Sequence, residues 1–181
     1  MKGRYVTIFV KNHIRKYIME SLGSDTIKLE RDSTLMAIIK PYLSLEADEW
    51  ETDTPPEGFG QLYIELPKLN KELEESTGRV YWCDTLFRDH LQDKGLKKVQ
   101  NFLSRNFKAA FRSFMDGYTE AQNDSASDED DEYRIKVKHG VVAFLIQYHI
   151  DFDECLVSSL TRDWHRHRLK NEKYRYSPLI H

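Results

Sequence analysis

The sequence predicts an α+β fold: a small sheet of about four strands packed against amphipathic helices, then a C-terminal helical pair in the order of either a helix-turn-helix or an ordinary helical hairpin with a solvated basic face. Three observations predict it. Short β-branched or alternating segments are confined to the stretch before Cys83, and one long apolar stripe with helical spacing runs from Leu96 to Tyr118. The last third then splits its charge. Asp124 to Glu132 carries six acids and no base, whereas Arg162 to Arg175 carries six bases and two histidines against two acids.

The elements follow in order. Arg4 to Val10 is rich in β-branched and aromatic residues and reads as a strand. A helix follows over Asn12 to Leu22, with Ile14, Tyr17, Ile18 and Leu22 on one face and Gly23 placed to end it. Thr26 to Glu30 alternates apolar and charged, as a half-buried strand does. Asp32 or Ser33 caps the next helix, whose stripe is Leu35, Ile38, Ile39, Tyr42 and Leu43. Pro41 falls inside that stripe and predicts a kink or an early end. Glu46 to Gly60 is acidic, holds Pro55 and Pro56, and reads as a surface loop. Gln61 to Leu66 is a third strand closed by Pro67. Asn70 to Ser76 is a short helix or loop, and Arg79 to Cys83 a fourth strand.

A long helical signal begins near Asp84, with Gly95 as a possible break. From Leu96 the apolar positions are Val99, Leu103, Phe107, Ala110, Phe111, Phe114 and Tyr118, in steps of three and four, with Phe102 widening the stripe. Residues 122–132 have the composition of an acidic linker or loop. They separate an α+β body over residues 1–121 from a helical pair over residues 133–176 and a tail over residues 177–181. In that pair, Arg134 to His149 is apolar around most of its circumference from Val141 to Ile146, which predicts burial on several sides. Asp153 is placed to cap the last helix. Leu156, Val157, Leu160 and Trp164 form its inner face.

Composition bounds the function. The chain has 181 residues, of which 40% are hydrophobic and 31% charged, enough for one domain with a small appended module. The net charge of −3 excludes a generic polyanion binder, so affinity for nucleic acid has to come from a local patch. Cys83 and Cys155 sit in apolar contexts and are read as buried thiols of a reducing compartment. No long apolar run is present, and a cytoplasmic location without membrane contact is expected.

No motif carries catalysis. The eight glycines form no phosphate loop, and no nucleophile pattern or zinc spacing is present. His165 and His167 are two apart on a predicted helix and diverge by about 200°, so they do not chelate one metal. Asp151 and Asp153 are explained by capping. The chain is expected to be no enzyme, with no catalytic residue, no metal and no cofactor.

Two readings of function remain. In the first, the chain is a DNA-binding accessory or regulatory protein. Ser158, Thr161, Arg162 and His165 lie near base edges, while Arg166, Arg168, Lys170 and Lys173 neutralise phosphates of double-stranded DNA. Two features weigh against it. The turn before the last helix has no glycine, and the bases crowd the helix C-terminus, where the dipole favours them anyway. In the second, the chain is a structural or assembly protein that forms a homo-oligomer or docks onto other subunits through aromatic surfaces and its tail. The layout resembles in style the small accessory proteins of phages and mobile elements, with no specific motif behind the likeness.

Overall fold

A computed structural model of the chain describes residues 4–44, 54–67, 90–123 and 130–175. It is a mixed α+β structure. Strand β1 (Arg4–Lys11) pairs antiparallel with β4 (Phe59–Leu66) along its whole length, from Arg4 opposite Leu66 to Lys11 opposite Phe59. Strand β2 (Thr26–Lys28) pairs parallel with β4 on its other side, giving the order β1-β4-β2. Among the described residues this is a three-stranded sheet. The fourth strand expected over Arg79 to Cys83, and the short element over Asn70 to Ser76, lie outside the described residues.

The period-two pattern of the sequence appears directly as burial. Val6, Ile8 and Val10 on β1 and Leu62, Ile64 and Leu66 on β4 are buried, while the residues between them are half-buried. Helix α1 (Asn12–Leu22) adds Ile14 and Ile18 to this core. It ends at Gly23, whose φ of 64° is the left-handed conformation that glycine adopts without steric cost. At Gly60 a Cβ would lie 2.3 Å from Arg15 Cδ, so the missing side chain lets α1 approach β4. There Arg15 Nε donates to the Gln61 carbonyl at 2.9 Å.

Helix α2 (Thr34–Ile39) is capped by Ser33, whose hydroxyl accepts the Met36 N–H at 3.2 Å. Pro41 stops it: the chain tightens into a 3-10 turn over Lys40–Tyr42 and passes into the short strand β3 (Leu43–Ser44). Strand β3 pairs with β5 (His90–Leu91), and the Gln92 N–H donates to the Tyr42 carbonyl at 3.1 Å. His90 and Leu91 are therefore strand, and the helix expected from near Asp84 begins at Asp93. Gly95 does not break it. A Cβ there would lie 2.5 Å from Tyr42 Cβ and 2.8 Å from Leu91 Cδ1, so the glycine admits the close crossing of these segments.

Helix α3 (Asp93–Asn123) carries the predicted stripe, with Val99, Leu103, Phe107 and Phe111 buried. Gln100 Nε2 donates to the Phe9 carbonyl of β1 at 2.7 Å. The chain divides into two compact units, Met1–Arg105 and Asn106–His181, and α3 contributes residues to each.

In the second unit, α4 (Asp130–Gln147) and α5 (Glu154–Arg175) follow. Gln122 and Asn123 thus close α3, while Asp130, Asp131 and Glu132 open α4, a position where acids suit the helix dipole. Phe144 centres an aromatic cluster. Its ring lies 5.7 Å from Phe107, 5.2 Å from Phe111 and 5.4 Å from Phe114 in edge-on arrangements, and 4.8 Å from Tyr148. Met115, Val137 and Val141 complete the core. Burial of α4 is less complete than its sequence predicts, because Ile146 is 69% exposed and Ile135 also faces outward.

Candidate nucleic-acid interface

The turn between α4 and α5 explains how a helix pair forms here without glycine. The Ile150 N–H donates to the Leu145 carbonyl at 2.9 Å and the His149 N–H to the Ile146 carbonyl at 3.1 Å, which closes α4 as a Schellman motif. His149 itself takes the left-handed backbone, with φ of 49°. Ile150 packs into the core behind it. Asp153 then caps α5 as predicted: its Oδ1 accepts the Cys155 N–H at 2.9 Å, and its carbonyl accepts the Val157 N–H at 2.9 Å.

Helix α5 is anchored by Leu160 and Trp164, each 3% exposed, with Leu156 and Val157 half-buried beside them. The Trp164 and His167 rings lie 5.9 Å apart. Asp163 fixes the rotation of the helix about its axis. Its carboxylate accepts two hydrogen bonds from Arg112 of α3, Nε to Oδ2 at 2.8 Å and Nη2 to Oδ1 at 2.9 Å, with Lys108 Nζ at 3.7 Å. Burial of the carboxyl opposes its charge. The Arg112 bond, with the charges of Arg112, Lys108 and His167, outweighs burial and holds Asp163 below its ordinary value of 3.8.

That pairing decides what the opposite face presents. Between Arg162 and Arg175 the sequence has two acids, Asp163 and Glu172, and Asp163 is turned inward and neutralised. Ser158, Arg162, Arg166, Arg168 and Lys170 are all exposed. Ser158, Arg162, Arg166 and Lys173 occupy one row in steps of four, four and seven, although the Lys173 side chain lies outside the described ones. Lys170 lies beside that row, whereas Arg168, two residues from both Arg166 and Lys170, diverges from them by about 160–200° around the helix. Arg162 Nε donates to the Ser158 carbonyl at 3.2 Å, which lays its guanidinium along the helix surface.

Two of the predicted base-edge residues are placed differently. Thr161 is half-buried and its Oγ1 is buried without a hydrogen-bond partner, and His165 is also half-buried. Both lie off the outward row, on the side toward Trp164 or beside it. The sequence reading missed Arg112 and Lys108. The signal was slight: one acid, Asp163, sits beside the inward Trp164 in an otherwise basic stretch. Cys155, expected to be a buried thiol, is exposed, because the first turn of α5 carries it three residues before Ser158 on the outward side. Cys83 lies outside the described residues. Leu169 is 61% exposed within the basic row.

Chemically, the surface is a strip of permanent cations on a helix held by two apolar anchors and one bidentate ion pair. Among the described residues, no group of three or more His, Cys, Asp or Glu is placed to hold a metal ion, and no helix is long and apolar enough to cross a membrane. No protein-family model, curated protein or solved structure matches the chain.

Proposed function

We propose that this chain is a non-enzymatic DNA-binding accessory or regulatory protein that lays the basic face of α5 against a duplex. In this reading α4 and α5 act as a helix-turn-helix, and α5 is the helix that meets the DNA. The observation that carries it is the sorting of charge on α5. Arg162, Arg166, Arg168 and Lys170 are exposed while the acid among them, Asp163, is engaged by Arg112. In a protein of net charge −3, such a local strip supplies the attraction that the whole molecule lacks.

The test is fluorescence anisotropy of a labelled random duplex at low and physiological salt, beside an Arg162/Arg166/Arg168→Ala variant. Salt-sensitive binding, weakened at least tenfold in the variant, is the expected result. Absence of binding at low salt would remove the proposal.

A second reading, an assembly protein docking onto other subunits or onto its own copy, is favoured by one observation. Ile135, Ile146, Phe152 and Leu169 are all exposed large apolar residues of the Asn106–His181 unit. Light scattering across a concentration series tests it, with growth in mass expected and a constant monomer mass against it.

A further inference from the structure

We infer that α5 grips the phosphate backbone of a duplex without reading its bases, so that binding is independent of sequence. The inference rests on the DNA-binding reading above and specifies its mode. Recognition helices commonly present their N-terminal residues to base edges, with the flanking phosphates closing around that end. Here the N-terminal end of α5 is bracketed by three exposed acids, Asp151, Asp153 and Glu154. They repel phosphates at the place where a reading helix has to enter a groove. Asp153 cannot turn away, because its carboxylate caps the helix.

The side chains behind that end are poor readers as well. Thr161 has its hydroxyl buried, and His165 is half-buried. Ser158 and Ser159 are exposed but short. The cations begin one turn later. Arg162, Arg166 and Lys170 rise about 6 Å apart along the helix axis. Such a ladder of three cations follows a line of phosphates. The same polarity orients the helix: the acidic end is held off the duplex and the C-terminal half lies along the strand.

The test uses the full chain and a duplex library with a randomised central segment. The bound pool is sequenced, and the salt dependence of binding is measured by anisotropy on a single random duplex. The expected result is a bound pool with flat base composition. The expected log–log salt slope is about −2.5 to −3, for three neutralised phosphates at about −0.9 each, falling by about 2 in Arg162/Arg166→Ala. A motif enriched more than about tenfold in the pool would overturn the inference while leaving α5 as a DNA surface. Failure to retain any duplex at low salt would overturn both, and so would retention on anionic phosphatidylserine vesicles with no duplex bound.

Discussion

In the Met1–Arg105 unit, apolar and polar residues alternate along β1 and β4, and the inward set is buried without exception from Val6 to Val10 and from Leu62 to Leu66. In the Asn106–His181 unit, α3 and α4 meet around Phe144, and large apolar residues such as Ile146 and Leu169 remain outside. The difference comes from geometry. A strand has two faces, and burying one settles the other. A helix needs only a stripe of about 100° for its core contact, so more than half of its circumference is left for charge or for partners. The candidate interface lies in the helical unit for that reason. Glycines admit close side-chain approaches in both units, beside Arg15 and Tyr42 at Gly60 and Gly95, and beside a methionine and a tyrosine ring at Gly140.

The largest test of this contrast is Phe144→Ala. Its ring is fully buried among four aromatic neighbours, and its removal is expected to cost about 4 kcal/mol in urea unfolding of the full chain. A loss below about 1 kcal/mol would show that the helical unit does not depend on this cluster.

Two glycines sharpen the comparison. Gly95 and Gly140 both lie inside helices, where alanine gains about 1 kcal/mol in propensity. At Gly95 the added methyl meets Tyr42 Cβ, close to a backbone that cannot yield, so Gly95→Ala is expected to lose about 1–3 kcal/mol net. At Gly140 it meets Met115 Sδ at 2.9 Å and Tyr118 Cδ1 at 2.9 Å, and the thioether can rotate aside. Gly140→Ala is expected within about 1 kcal/mol of neutral. Equal losses in thermal unfolding would erase the distinction between the two sites.

A further test, in the same range, concerns the ion pair. Asp163→Asn removes a charge from a carboxylate 16% exposed, paired with a more exposed Arg112, and is expected to cost about 1–2 kcal/mol at neutral pH. Because the folded carboxyl is held below 3.8, the stabilisation is present above that pH and is lost as the pH falls through the lower folded value. Stability of the two proteins should therefore converge below pH 3.8. A gap that persists unchanged in acid would mean that the pair acts through packing and not through charge.

Much of this architecture was legible in the chain. The extent of α1, the caps at Ser33 and Asp153, the stop at Pro41 and the stripe of α3 all follow from local chemistry, because each depends on residues within a few positions of one another. What depends on distant partners was not. Strand β5 is two residues long and exists only because β3 lies beside it, so His90 and Leu91 read as helix. Arg112 and Asp163 are 51 residues apart, and nothing at either position announces the other. The basic strip and the inner anchors Leu160 and Trp164 were visible in the sequence, but the inward pairing of Asp163 was not. Ile146 and Cys155 are exposed against expectation because an apolar neighbourhood in sequence is not an apolar neighbourhood in space.

The hydrogen bond from Gln100 to the Phe9 carbonyl has a consequence for solubility. Among the described residues strand β1 is an outer strand of its sheet, eight residues long and rich in valine, isoleucine and aromatics, the kind of edge that templates pairing with another chain. A side-chain amide seated on one of its carbonyls occupies a position that an incoming strand would need. Gln100→Leu would leave that acceptor bare. The variant should then form fibrillar or amorphous aggregates at concentrations where the parent stays clear, long before its folded state is measurably weakened.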